Sequence, residues 1–206
     1  MARLFVIPLV GLLLSASAAA AGPADVVKAA KAQIGVTLHY DPAYTRLAYP
    51  LGDVPLERGV CTDVVVRAYR KVGVDLQALV HRDMKQHWAA YPHPASWKLK
   101  RPDPNIDHRR VPNLAAYFGR HGQSLGVSRN PADYAPGDIV TWQVPPGVPH
   151  IGLVADERTV AGVPLVIHNI GAGTRMEDRL FAYRITGHYR YPVKVTRSNG
   201  QPDRSR

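Results

Sequence analysis

Cys61 is the only cysteine in a chain of 206 residues, so its thiol has no internal disulfide partner. Such a thiol is either a small buried hydrophobe or a reactive group. Its position favours reactivity. It follows Arg58-Gly59-Val60 and opens a stretch in which Val64, Val65, Ala68, Tyr69 and Val72 recur on one helical stripe. A helix N-terminus carries about half a positive charge and free N–H groups, which favour a thiolate and can receive a developing oxyanion. Amide cleavage by a thiolate also needs a partner that hands a proton to the leaving amine. Of the nine histidines, His150 fits that need best. It heads the apolar run Ile151-Gly152-Leu153-Val154 directly after the turn Pro145-Pro146-Gly147-Val148-Pro149, where a strand end would hold it in place. His168 closes the next run, Pro164-Leu165-Val166-Ile167, and Asn169 follows it. If the two runs pair antiparallel, both histidines fall at one end of the sheet, where His168, or Asn169 in its place, can orient the His150 ring. The competing reading is packing alone, with Cys61 an inert core residue and the histidines satisfied within the sheet.

The elements that must position these groups follow from periodicity and punctuation. Residues 24–35 read as an opening helix, residues 61–72 as a second helix stopped by Gly73, and Asp75 as the cap of a third that runs to about Ala90. Residues 37–53, rich in Tyr, Pro and Asp, read as an irregular loop. Residues 91–112 hold five prolines and read as an inserted surface loop, followed by a short helix over 113–120. Short β-rich runs then occupy 138–144, 150–156, 164–169, 181–185 and 188–191. Helices first and strands after predict an α+β fold, with N-terminal helices packed on a central antiparallel β-sheet. His81, His87 and His93 recur every six residues, a spacing that spreads them around a helix, and no carboxylate completes a ligand set; no metal or cofactor is expected.

Residues 1–21 have the layout of a cleaved secretory signal peptide: Arg3, the apolar run Leu4–Leu14, then small residues ending in an A-x-A pattern. The run is shorter than the ~20 residues that span a bilayer, so no stable membrane insertion is expected and the product would be periplasmic or secreted. Residues 22–195 then form one domain, expected to be monomeric, and 196–206 a polar, fraying tail. Arg3 is the only charge in the leader, leaving 25 basic and 16 acidic side chains. The densest basic cluster is Lys98, Lys100, Arg101, Arg109 and Arg110, and no nucleic-acid motif accompanies it. Anionic cell-wall polymers or acidic lipid head groups are the partners that such a surface suits, beside a plain solvated face.

Four segments together resemble the NlpC-type branch of the papain-like cysteine peptidases: Gly59-Val60-Cys61-Thr62-Asp63-Val64-Val65, Pro136-Gly137-Asp138-Ile139-Val140, His150-Ile151-Gly152-Leu153-Val154 and Val166-Ile167-His168-Asn169. Within that branch the chain is similar to a secreted bacterial subgroup with a Tyr-Asp-Pro stretch upstream of the cysteine. The resemblance spans about residues 24–192 and implies a papain-like fold, Cys61 as nucleophile, His150 as base, His168 as orienting residue and a cell-wall peptide as substrate. It also implies that a tyrosine of the upstream loop lines the cleft; Tyr40 and Tyr49 are the candidates, with Asp63 and Asn169 as further substrate contacts. One departure stands out: the family's Ser-Gly-aromatic after the nucleophile is here Thr62-Asp63-Val64. Asp63 places negative charge near the thiol unless it turns away or pairs with Arg67 one helical turn on. A catalytically inactive wall-binding module, and a thiol-based acyltransferase or esterase, are the alternatives to an amide hydrolase.

Overall fold

The computed structural model describes residues 21–193; the expected tail lies outside them, as does the expected signal peptide apart from Ala21. The first helix, α1 (Pro23–Lys31), starts where Pro23 fixes φ and Asp25 accepts the Gly22 N–H, 2.8 Å away. Two short segments, β1 (His39–Tyr40), inside the stretch read from sequence as irregular, and β2 (Arg58–Gly59), beyond its end, then pair in parallel. Helix α2 (Cys61–Lys71) follows directly, and α3 (Leu76–Gln86) is capped by Asp75, whose carboxylate accepts the Gln77 N–H at 3.1 Å. After α4 (Val111–His121) come β3 (Gln123–Leu125), β4 (Ile139–Val144), β5 (Val148–Arg158), β6 (Pro164–Asn169), β7 (Thr174–Glu177) and β8 (Arg184–Arg190). The last six form one sheet in the order β3-β8-β4-β5-β6-β7, antiparallel at every pairing. This is the α+β architecture that the order of elements predicts.

Alternation divides the sheet into two faces. Ile139, Ile151, Leu153, Ala155 and Ile167 pack under the helices with Val26, Val64, Leu76, Leu114 and Phe118. Val140, Trp142, Val154 and Val166 face the other way, beneath Tyr134 and Leu180. Helix α2 is buried from Cys61 to Tyr69 on every side, enclosed by α1, the sheet and the 37–59 loop. Its Arg67 is spent on that loop. The guanidinium donates to Asp53, to Thr37 Oγ1 and to the carbonyls of Val54 and Arg58. The Arg67–Asp63 pairing weighed from sequence does not form.

Several expected boundaries move. The third helix stops at Gln86 and a separate 3-10 turn covers Trp88–Ala90. The runs 181–185 and 188–191 are not two strands: Arg184 to Arg190 belong to β8, and Phe181 to Tyr183 form the turn before it. Segment 91–112 is only partly a surface loop, because Asp107, His108 and Arg109 are buried against α2 and α4. No helix among the described residues is long and apolar enough to cross a membrane.

Candidate active site

Strand register brings three side chains into line. Leu153 faces Ile167 across β5 and β6, and continuing that register sets His168 opposite Gly152, two residues along from His150. On an antiparallel pair such diagonal neighbours share a face within reach of a ring. His150 Nε2 and His168 Nδ1 are 2.7 Å apart. The same rule applies one strand further. Glu177 on β7 faces Val166, diagonal to His168, and Glu177 Oε2 lies 3.0 Å from His168 Nε2. A chain of polar contacts, Glu177–His168–His150, therefore crosses three adjacent strands. Gly152 makes it possible: a Cβ there would come within 2.9 Å of the Ile167 carbonyl and 3.1 Å of His168 Cβ. The His150 ring also lies against Trp142, its cross-strand partner, with centroids 5.8 Å apart.

Cys61 is the first residue of α2 and only 3% exposed. Its sulfur accepts the N–H of Ile151, the residue after His150, and those of its own first turn. The thiol thus meets β5 at Ile151, whose side chain packs on the helix side, while the His150 ring one position along lies against Trp142. No hydrogen bond joins the sulfur to the His150 ring among the described residues. Burial pushes the thiol up to about 12, with the Asp63 charge adding to the rise and the N–H donors opposing it. Burial, then the neighbouring His168, holds His150 down at about 3; burial also lowers His168, against the raising effect of Glu177. These directions keep the thiol and both imidazoles neutral at neutral pH.

A cleft of about 190 Å³ opens on Cys61, lined by Tyr40, Val60, Trp97, Arg109, Arg110 and Pro149 among others. Tyr40 is 38% exposed there, and burial together with the Cys61 and Asp63 charges raises its phenol to about 12, so it remains an O–H donor. The other expected substrate contacts lie elsewhere. Tyr49 is outside this lining and sits edge-on to His81, ring centroids 5.4 Å apart. Asp63 is buried and does not line the cleft. It accepts the Val60 N–H at 2.7 Å and pairs with Arg109, Nη2 to Oδ2 3.0 Å. Asn169, fully buried, donates to the Gly59 carbonyl at 3.0 Å and ties β6 to the β2 segment; it does not reach His150. His81 and His87 contact Asp107 and Asp83 and His93 stacks on Trp88, so those three histidines do not converge.

Two residues escaped the sequence reading. Glu177 was missed because β7 is short and charged and gave no strand signal. Arg109, 46 positions from Asp63, carries no local mark of its pairing. Arg109 also donates to the carbonyls of Ala43 and Asp41, and Thr62 Oγ1 donates to the Arg109 carbonyl at 3.1 Å. The Thr62-Asp63 departure is thereby explained: both residues clamp segment 107–110 to the start of α2.

Residues 27–191 match the family described as Domain of unknown function (DUF1287). The chain belongs to this family. The uncharacterized protein YijF of Escherichia coli (strain K12) is 59% identical over 169 residues, 82% of each chain. Among solved structures, NlpC1 and NlpC2 from Trichomonas vaginalis are each 17% identical with a TM-score of 0.44. The family member aligns over 82% of its own length with them, but over 45% and 47% of theirs.

Proposed function

We propose that the protein is an exported cysteine hydrolase of papain-like type that cleaves an amide bond in cell-wall peptides. The observation that carries this reading is one arrangement: a lone thiol at a helix N-terminus, opening on a cleft, next to a strand whose histidine heads a His150–His168–Glu177 chain. With Nε2 engaged by His168, Nδ1 of His150 is the nitrogen left to take the thiol proton as sulfur attacks the carbonyl. The carbonyl π electrons move to oxygen, and the oxyanion is received by the N–H groups of the first turn of α2 and by the Tyr40 hydroxyl. Collapse expels the amine, which takes the proton from His150 and leaves a thioester on Cys61. Water, deprotonated by His150, then attacks the thioester; the acid departs and Cys61 regains its proton. His168 acts as a positioning residue: it fixes the ring and, with Glu177 behind it, stabilises the imidazolium that forms. The neutral resting pair makes proton transfer part of the attack, not a preceding step.

The substrate class rests on the resemblance of the four motifs to NlpC-type peptidases, and export rests on the leader at 1–21. Replacing Cys61 with Ala should abolish release of soluble fragments from purified peptidoglycan while far-UV circular dichroism and the thermal midpoint stay close to wild type. Undiminished release by that variant ends the reading. One observation favours a second reading, a binding module on the same scaffold: the Cys61 thiol is buried with its ionisation suppressed. Labelling by iodoacetamide separates the two, since an enzyme's Cys61 reacts in the folded state and an inert core thiol reacts only on unfolding.

A further inference from the structure

The densest basic cluster in the sequence is divided by the fold into three uses. Lys98, Lys100 and Arg101 border an open groove with Arg46 and Lys85. Arg109 is consumed by Asp63 and two backbone carbonyls. Arg110 has neither fate. Its side chain lines the Cys61 cleft, its guanidinium carbon lies 4.3 Å over the Trp97 ring, and its Nη1 is buried without any hydrogen-bond partner among the described residues. Asp103 and Asp107 bias it electrostatically, but neither forms a hydrogen bond with it. Asp103 is taken by Tyr44 and Asn105, and Asp107 Oδ2 by His81 and the Asp103 N–H, while Asp107 Oδ1 is, like Arg110 Nη1, buried without a partner among the described residues. Nη1 is shut away from solvent, so the other guanidinium nitrogens, which also have no hydrogen-bond partner among the described residues, are the donors that a ligand in the cleft would meet. Stacking on Trp97 fixes the plane of the fork that such a ligand would meet.

The rest of the cleft has the same sign. Helices α2 and α4 both begin at its wall, at Cys61 and at Val111, so the positive ends of two helix dipoles face it together with Arg110. The lining carries no carboxylate, and its other members, Tyr40, Pro42, Val60, Ile106 and Pro149, are apolar or aromatic. We infer that Arg110 is the specificity residue of this site, binding a free carboxylate on the substrate close to the carbonyl that Cys61 attacks, so that the protein takes acidic peptides rather than neutral ones. This deepens the hydrolase reading and rests on it.

The test uses two alkylating agents that differ only in charge. Iodoacetate and iodoacetamide both form an S–C bond to the thiol and expel iodide, and iodoacetate alone brings a carboxylate. Rates at Cys61 in the folded wild-type protein are measured for each, and their ratio is divided by the same ratio for glutathione. The expected normalised preference for iodoacetate is about 10-fold, the size of one charge-assisted contact. It should fall to near unity in Arg110→Gln and be partly kept in Arg110→Lys. A wild-type preference near unity, or one unchanged in Arg110→Gln, overturns the inference while leaving Cys61 a nucleophile. If neither reagent labels folded wild-type Cys61, the nucleophile itself is lost and the inference falls with it. The wild-type ratio needs no variant, so poor folding of Arg110→Gln leaves the test intact.

Discussion

Cys61 and His150 are each unremarkable groups held in unusual surroundings. A thiol pushed up to about 12 and an imidazole held down at about 3 disfavour a resting ion pair at neutral pH, so in the proposed hydrolase the proton moves as the substrate reacts. That places weight on the group that steadies the imidazolium as it forms. His168→Ala should lower kcat by about 10²-fold with little change in KM, because it removes orientation and not substrate contact. Glu177→Gln, one link further out, should cost roughly 10-fold, as outer partners of such chains do. Steady-state kinetics on a soluble wall peptide reads both. A matching fall in the folded fraction, read by thermal unfolding of His168→Ala, would show that the residue holds the fold and not the ring.

Helix α2 illustrates why an element can be legible while its contacts are not. Its stripe and its start at Cys61 were plain from periodicity. Asp63, in its first turn, could by sequence either turn away from the thiol or pair with Arg67; it pairs with Arg109 from a segment that sequence marks only as proline-rich. Both side chains are buried, so removing one leaves an uncompensated charge. Asp63→Asn should destabilise the protein by roughly 3–5 kcal/mol in urea unfolding, and Asp63→Asn with Arg109→Gln by less than the sum of the two single changes. Strand β5 offers the sheet's counterpart. Gly152→Ala sets a Cβ 2.9 Å from the Ile167 carbonyl, so β5 and β6 must part where His150 and His168 meet. Loss of turnover with retained circular dichroism is the expected outcome.

At the scale of the molecule the buried histidines make stability depend on pH. His150 and His108 both sit near 3 in the folded state, through burial, against about 6.5 in the unfolded chain. Between those values the unfolded chain binds protons that the folded one does not, so stability is full above about pH 6.5 and falls as pH drops towards 3. Asp107 opposes the trend, because burial raises it to about 6 and the folded state then holds its proton longer. Each histidine contributes about 1.4 kcal/mol per pH unit in that window. Urea midpoints of wild type and His150→Gln measured from pH 7 to 4 should diverge, the variant losing stability less steeply by about one proton; parallel curves would refute the assignment of a neutral buried His150.

The α+β class, the helix that begins at Cys61, the strands that carry His150 and His168 and the Asp75 cap could all be read from the chain, because each depends on residues within a turn or a strand of one another. Folding alone settled that Glu177 backs His168, that Asn169 and Asp63 are structural, that Tyr40 and not Tyr49 reaches the cleft, and that Arg110 is left without an acceptor. Those facts come from strand register and from contacts across 46 or more positions, and from the desolvation that only a closed core imposes. Local periodicity carries no information about any of them.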